Sequence, residues 1–278
     1  MLVGFDRAPN RTPEQEHSAQ EASALRALLP MNEFRKVRPA SFMRLRQEGR
    51  TEEVARRLVE MVDLGLYAEG EQLPSESELA MQFGVATVTL RDALAELRER
   101  GVIETRRGRN GGSFVCSPQH TSEDALLGQL RQMSALELRD LGDEHVAIAG
   151  AAARLAAQRS TSDEQARIAQ YLDALASAST RQEQRRADAR FHIEIAVAAQ
   201  SVRLTHAETR LQAEIGEWLW LPVEGFPGAA AIEQEHRAIL EAISAGDSNL
   251  AGALAEAHVT RGIKRLINLR LSLLADDG

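Results

Sequence analysis

The chain has 278 residues, a formal net charge of −8 at pH 7 and a composition that is 44% apolar but only 4% aromatic. This length allows two ordinary domains, and the apolar share is enough for a sizeable core. The abundance of Ala, Leu, Glu and Arg favours helix over strand. The acidic balance excludes a protein that coats DNA uniformly, although a local basic cluster can still bind DNA.

Cys116 is the single cysteine, so the chain cannot form an internal disulfide, and a reducing cytoplasm is the expected compartment. No stretch has the length of a membrane span, and the first residues lack the apolar segment of a signal peptide. Residues 1–45 are expected to be a flexible extension that contains at most one short helix, over 21–29.

Residues 46–117 have the pattern of a small helical domain that ends in a hairpin. Helical spacing of apolar residues predicts three helices, over 51–64, 76–83 and 87–100. Ser75 and Glu78 have the spacing of a capping box at the start of the second helix. After Gly101 the apolar period changes from 3.6 to 2, which predicts two short strands around the basic turn RRGRNGG.

Residues 118–278 contain no strand signal. Their pattern predicts seven helices, over 122–133, 138–159, 162–179, 181–200, 203–219, 229–245 and 248–274. The fold class is therefore mainly α: an N-terminal winged helix-turn-helix is followed by an antiparallel all-helical bundle. The segment 116–121 between the two parts is the expected hinge.

A winged helix-turn-helix places the start of its second helix in the major groove of DNA. Thr hydroxyls and a forked Arg side chain suit phosphates and base edges, and glycines let the hairpin backbone approach the duplex. Arginine at the hairpin tip suits a narrow minor groove. The expected DNA-binding residues are therefore Thr87, Thr89, Arg91, Arg106, Arg107, Gly108, Arg109 and Gly111. The alternative is a protein-binding helix pair with a solvated basic loop.

Roughly residues 51–115 resemble the GntR family of bacterial regulators. The resemblance rests on LPSESELAMQFGV, TLRDALAELRERGVIE and RRGRNGGSFV, which stand in the family's order and spacing. It implies a homodimer that binds a near-palindromic double-stranded DNA operator. The family usually has Arg at Ser77, a Ser-Arg or Thr-Arg pair at Ala86-Thr87, and a small polar residue at Val88. These departures imply an unusual operator, in which Val88 can contact a thymine methyl group.

Three histidines of the bundle lie on the apolar faces of three predicted helices. Asp188 and His192 are four apart and share one helix face, while His236 and His258 each lie on an apolar stripe. Buried histidines need hydrogen-bond partners or a metal ion. Three imidazoles and one carboxylate suit Zn²⁺ first, with Ni²⁺ or Mn²⁺ as alternatives. Spacing alone leaves core histidines with ordinary partners as the other interpretation.

Residues 122–275 resemble the FCD ligand-binding domain of the FadR subfamily of GntR regulators. The resemblance rests on Asp-x-x-Phe-His, EHRAILEAI, Ala-Gly-Asp and Ala-His. It implies that Asp188, His192, His236 and His258 are a metal tetrad that helps to hold a small carboxylate effector or serves structure. The family usually has an effector-facing Arg near His145, so His145 is the effector-binding candidate, although it lacks the guanidinium fork. A histidine without a role is the alternative.

The expected function is a sequence-specific transcriptional regulator, most simply a repressor, that senses a small carboxylate. The alternatives are a bundle that serves as a metal-stabilised dimerisation module or as a metal sensor. A metal-dependent hydrolase is a remote alternative, because the usual catalytic motifs are missing and Glu194 should point away from the metal face. Of Trp218 and Trp220, one is expected in the core and the other at the cavity or a dimer contact.

Overall fold

A computed structural model describes residues 49–108, 111–116, 122–223 and 228–275. These residues form ten α-helices and one two-stranded antiparallel hairpin, which confirms the predicted mainly α fold class. No helix among them is long and apolar enough to cross a membrane. The expectations for the extension 1–45, for Arg109 and for the hinge beyond Cys116 lie outside the described residues.

The N-terminal part is a winged helix-turn-helix. Its elements are α1 (Arg50–Asp63), α2 (Glu76–Phe83), α3 (Thr87–Glu99), β1 (Ile103–Arg106) and β2 (Gly112–Val115). The capping box at α2 is formed, because Ser75 Oγ accepts from the Glu78 amide at 3.3 Å and Glu78 accepts from the Ser75 amide at 2.9 Å. Gly84 ends α2 with φ +65°, the left-handed conformation that favours glycine.

One buried core holds these elements together. It is built from the inner faces of the three helices, including Leu58, Leu79 and Leu94, and from the first residue of β1. Ile103 pairs with Val115 in the antiparallel register, so both buried strand ends seal the same core. The packing fixes the angle between α2 and α3 and leaves the start of α3 in solvent.

The C-terminal part contains the other seven helices. They are α4 (Glu123–Gln132), α5 (Ala135–Arg159), α6 (Ser162–Ser177), α7 (Arg181–Ala198), α8 (Val202–Leu219), α9 (Ala229–Ser244) and α10 (Ser248–Ala275). Helix α5 begins three residues earlier than predicted, because Ser134 and Glu137 form a capping box at its start. Asp247 caps α10 by accepting from the Leu250 amide at 2.9 Å.

Helices α5 and α10 pack closely at a glycine of α5. A Cβ atom at Gly142 would lie only 2.7 Å from Ile263 of α10, so this crossing requires the small residue. His145 of α5 and His258 of α10 line one cavity near this crossing.

Helix α7 connects the bundle to the DNA-binding part. Buried Leu64, which follows α1, packs against Ala189 and Ile193 of α7. Arg185, only 4% exposed, donates to the carbonyl oxygen of Asp63 at 2.8 Å and lies 3.7 Å from the Glu217 carboxylate. A buried guanidinium at the end of α1 satisfies a terminal helix carbonyl and favours its negative dipole end.

Candidate DNA-binding surface and metal centre

The start of α3 lies on the surface, as DNA binding requires. Thr87 and Arg91 are exposed, Thr89 is half-buried, and Val88 is 64% exposed although it is apolar. An exposed valine at this position offers a methyl surface of the kind that contacts thymine. Ser77 of α2 is also exposed, with its hydroxyl oxygen 3.1 Å from that of Ser75.

Acidic neighbours hold two of the expected DNA-binding arginines. Arg91 donates from Nε to Glu76 at 2.7 Å, and Arg106 donates from Nε to Glu104 at 2.8 Å. The Arg106 guanidinium also lies 4.2 Å from the centre of the Phe114 ring. These pairs are solvent-exposed and therefore weak, so they orient the side chains without preventing contact with phosphate.

The hairpin carries exposed Arg106, Arg107 and Gly108, with half-buried Gly111 after its tip. Gly108 has φ +121°, and a Cβ atom at Gly111 would lie 2.6 Å from the Arg106 carbonyl oxygen. Both positions therefore require glycine for the turn itself. Gln72 donates to the Gly111 carbonyl oxygen at 3.0 Å, which ties the hairpin to the segment before α2.

In the bundle, the four predicted metal-binding residues meet. Asp188, His192, His236 and His258 are all buried, and one ligand atom from each lies within 4.8 Å of the others. Asp188 Oδ1 lies 3.3 Å from His236 Nε2, and His236 Nε2 lies 3.4 Å from His258 Nε2. The cluster joins helices α7, α9 and α10, in agreement with the predicted convergence of three apolar faces.

Neighbouring residues orient two of these four side chains. Glu235 accepts from His258 Nδ1 at 2.6 Å, and Arg261 donates to the other Glu235 oxygen at 3.0 Å. Trp220 Nε1 donates to Asp188 Oδ2 at 3.1 Å, which leaves Asp188 Oδ1 for the cluster. Such outer partners fix the tautomer and the direction of metal ligands. Trp218 by contrast lies in the core.

Burial disfavours the charged forms of His192, His236 and Asp188. Burial, followed by the nearby His258, lowers the pKa of His192 to about 3 and brings the pKa of His236 well below its usual range. Burial raises the pKa of Asp188, against the opposing effects of His258 and Trp220. Neutral imidazoles are the form that binds metal, so His192 and His236 need not lose protons at neutral pH before they coordinate an ion.

The donor set fits a divalent ion. Two donors on a tetrahedral zinc ion lie about 3.4 Å apart when each is about 2.1 Å from the metal. The closest ligand-atom distances, 3.3 and 3.4 Å, match this separation. His236 is fully buried and stacks on Phe191, so its ring is held in place before any ion binds. The described residues can therefore hold a metal ion here.

A cavity of about 30 Å³ adjoins the cluster, and His145 lines it together with Asp188, His192 and His258. His145 is buried, and its Nε2 lies 3.1 Å from Glu208 Oε1, which also accepts from Gln212 Nε2 at 2.8 Å. Burial raises the pKa of Glu208, but the charge and hydrogen bond of His145 outweigh it and bring the value to about 2. Glu208 is therefore an ionised carboxylate inside the bundle.

Glu194 pairs with Arg190 at 2.9 Å and lies 3.8 Å from Arg167. This position agrees with the expectation that Glu194 points away from the metal face.

Comparison with known proteins decides the family. The profile described as "Bacterial regulatory proteins, gntR family" matches residues 50–115, and the profile described as "FCD domain" matches residues 140–261. The chain belongs to the GntR family. This GntR-family member is thus a DNA-binding transcriptional regulator with an FCD domain, and the resemblance expected from its motifs is confirmed.

The relatives of this GntR-family chain are regulators. One, which carries the name HTH-type transcriptional regulator RmpR, from Mycobacterium gastri, is 42% identical over 81% of this chain and 82% of its own length. The protein named for regulation of the L-lactate dehydrogenase operon in Escherichia coli strain K12 is 31% identical over 76% of this chain and 83% of its own. The solved structure of E. coli McbR/YncC is 17% identical, with a TM-score of 0.47 over 79% of this chain and 98% of its own.

Sequence reasoning missed four residues around the buried cluster of the GntR-family chain, and it left open which of Trp218 and Trp220 lies at the cavity. The four are Glu208, Gln212, Glu235 and Arg265. Three of them left a periodic signal: Glu208 and Gln212 are four apart, and Arg265 follows His258 by seven residues, which is two helical turns on the same face.

Proposed function

We propose that the chain is a homodimeric repressor whose affinity for a near-palindromic operator is controlled by a divalent ion and a small carboxylate. Residues 46–117 bind DNA, and residues 118–278 bind the ion and the effector and form the dimer. The observation that carries the proposal is the buried Asp188, His192, His236 and His258 cluster beside a cavity, in a chain that exposes a recognition helix.

The DNA contacts follow from the exposed positions. The start of α3 enters the major groove, with Arg91 at a guanine or a phosphate and Val88 at a thymine methyl group. The hairpin reaches the neighbouring minor groove through its arginines, including Arg109. Ser77 replaces an arginine that the family usually has, so we expect this position to contribute little to affinity.

The ion is Zn²⁺, with Ni²⁺ or Mn²⁺ as alternatives, and it is held by Asp188, His192, His236 and His258. The three-nitrogen, one-oxygen donor set and its burial favour a borderline ion over Mg²⁺ or Ca²⁺. A bound ion supplies a positive charge that attracts a carboxylate. His145 lines the same cavity and is the polar wall residue that sequence reasoning assigned to the effector.

Helix α7 supports a route from this centre to DNA. The face of α7 that provides Asp188 and His192 also carries Arg185, which donates to the carbonyl oxygen of Asp63 at the end of α1. The adjoining side of α7 carries Ala189 and Ile193, which pack against Leu64. A small shift of α7 on ligand binding therefore also moves the contact with the DNA-binding part. In this proposal the dimer has two states, and in only one of them does the spacing of the two DNA-binding parts match the spacing of the operator half-sites. An effector that binds the other state more tightly therefore lowers the affinity for the operator.

A second candidate is a regulator in which the ion alone stabilises the bundle or is itself the signal. The buried cluster favours it, because four residues already surround the ion site. The two candidates differ in their response to carboxylates: an effector raises the melting temperature of the zinc-loaded protein by mass action, whereas a purely metal-dependent bundle responds to zinc alone. A hydrolytic role is the weakest candidate, since Glu194 is committed to Arg190 and Arg167.

The test is zinc content and thermal stability of the full chain and of His236→Ala. The variant loses one of four ligands, so we expect it to bind less zinc and to melt at a lower temperature. His206→Ala is the matched control. His206 is exposed on α8, so this substitution also removes one imidazole, but one that lies outside the cluster. An unchanged zinc stoichiometry in His236→Ala would show that the tetrad is wrong.

A further inference from the structure

Arg91 is the single basic residue between Ser75 and Ala95, a stretch that contains α2, the turn after it and the first two turns of α3. It follows Thr87 by four positions and Val88 by three, so these three side chains share one face at the start of α3. The Arg91 side chain is 66% exposed. Within the two helices of the helix-turn-helix, a guanidinium fork that reads a base edge must therefore come from Arg91.

Glu76, in the first turn of α2, holds the inner end of this arginine. Arg91 donates from Nε to Glu76 Oε2 at 2.7 Å, and the other carboxylate oxygen, Oε1, lies 4.0 Å from Arg98 Nη2. The capping box of Ser75 and Glu78 fixes the first turn of α2, and therefore the position from which the Glu76 side chain starts. The contact with Arg91 uses Nε, so it leaves the Nη1 and Nη2 donors for DNA.

The charge of Glu76 determines which acceptor these donors favour. Arg91 and Glu76 together carry no net charge, and a phosphate that approaches Arg91 also meets the Glu76 carboxylate. A guanine edge offers two neutral acceptors, O6 and N7, to the same fork without this repulsion between like charges. The pair therefore favours a base over a phosphate.

We infer that Arg91 reads one guanine in each operator half-site and that Glu76 is the positioning residue that keeps Arg91 from the phosphates. This inference rests on the proposed function, because it names what the helix-turn-helix reads in the operator. It gives Arg91 and Arg107 different tasks: Arg91 contributes to specificity through a base, and Arg107 of the hairpin contributes to affinity through a phosphate.

The experiment begins with the selection of duplexes from a random-sequence library by the full chain, with added Zn²⁺ and again after chelation, so no operator has to be known. In the selected duplex each guanine is replaced in turn by 7-deazaguanine, which lacks the N7 acceptor. We expect one such replacement in each half-site to weaken binding by about tenfold in the unchanged chain and to have no effect in Arg91→Ala. The salt slope of binding should be the same in Arg91→Ala as in the unchanged chain, because a base contact releases no counterion.

Glu76→Gln tests the positioning role, because glutamine keeps the shape of the side chain and removes the charge that opposes phosphate. We expect the affinity for a scrambled duplex to rise, and the ratio of affinities for the selected and scrambled duplexes to fall by about two- to fivefold. Glu96→Gln is the matched control. Glu96 pairs with Arg100 near the end of α3 and loses the same charge, so its ratio should stay unchanged.

Three results would overturn the inference and still leave a sequence-specific regulator. They are a salt slope that falls by about one in Arg91→Ala, an equal effect of 7-deazaguanine on Arg91→Ala and on the unchanged chain, and an equal ratio of affinities in Glu76→Gln and the unchanged chain. If no duplex is enriched from the library with or without zinc, both the inference and the sequence-specific regulator are refuted.

Discussion

Replacement of Glu235 by glutamine tests whether the partners of the buried cluster support the proposed metal site. Glu235 accepts from His258 Nδ1 at 2.6 Å, so the other ring nitrogen, Nε2, keeps a lone pair for an ion. The carboxylate is ionised, because hydrogen bonds from His258 and Arg261 outweigh burial and lower its pKa to about 2. Glutamine keeps an acceptor of the same shape but removes the charge, and charge-assisted hydrogen bonds are roughly twice as strong as neutral ones.

The expected loss is modest. Removal of an outer-shell partner typically weakens metal affinity by about 10- to 100-fold, or about 1.4–2.7 kcal/mol. The Glu235 side chain is 27% exposed, so water screens part of its charge, and we expect a loss near tenfold. The assay is zinc competition between the full chain and a chromophoric chelator at constant pH.

The matched control is Glu233→Gln on the same helix. Glu233 pairs with the exposed Arg237 rather than with a cluster histidine, and it loses the same charge. Its zinc affinity should stay within about twofold of the unchanged chain. Equal affinities of Glu235→Gln and the unchanged chain, or equal losses in both variants, would refute the outer-shell role.

Three further predictions follow from other parts of the molecule. The ratio of operator affinities with and without zinc should fall by about 2- to 30-fold in Arg185→Ala, which loses the contact with Asp63. Arg181→Ala is the control, because Arg181 pairs with the exposed Glu123, and its ratio should stay unchanged. An Arg185→Ala ratio equal to that of the unchanged chain would exclude the α7 route. In metal-free protein the pKa of His192, lowered to about 3, removes about 2 kcal/mol of stability between pH 7 and pH 5, since the unfolded chain binds the proton below about 6.5. The lowered pKa of His236 adds to this loss, and the raised pKa of Asp188 opposes it. Urea unfolding should therefore give a net loss of stability between pH 7 and pH 5, and no loss would contradict neutral buried histidines. Arg107→Ala should lower the salt slope of DNA binding by about one, and an unchanged slope would place Arg107 away from phosphate.

The helices were predictable because their ends carry local signals. Ser75 with Glu78 begins α2, and Asp247 begins α10, so the boundaries follow from residues within three or four positions. The start of α5 was predicted three residues too late because the prediction followed the pattern of apolar residues. Ser134 and Glu137 have the spacing of a capping box, and this local signal marks the true start.

The convergence of Asp188, His192, His236 and His258 was predictable for a different reason. Asp188 and His192 are four residues apart, and His236 and His258 each occupy a core position of an amphipathic helix, so the bundle must bring them inward. Which residues become hydrogen-bond partners of the cluster depends on the position of each helix along its neighbour. The spacing of apolar residues predicts the buried face of a helix but not this position. Trp220 shows this, because α8 ends at Leu219 and the tryptophan bonds to Asp188 from outside the helix.

Fluorescence anisotropy of a labelled duplex tests the central claim most directly. The duplex comes from DNA upstream of the protein's own coding sequence, a scrambled duplex is the control, and salt is held at roughly 150 mM, because salt alone changes affinity by orders of magnitude. The titration is run after chelation and again with added Zn²⁺. Our account predicts that the native duplex binds far more tightly than the scrambled one and that zinc changes this affinity. Equal, weak binding to both duplexes with and without zinc would contradict a metal-controlled operator at this site.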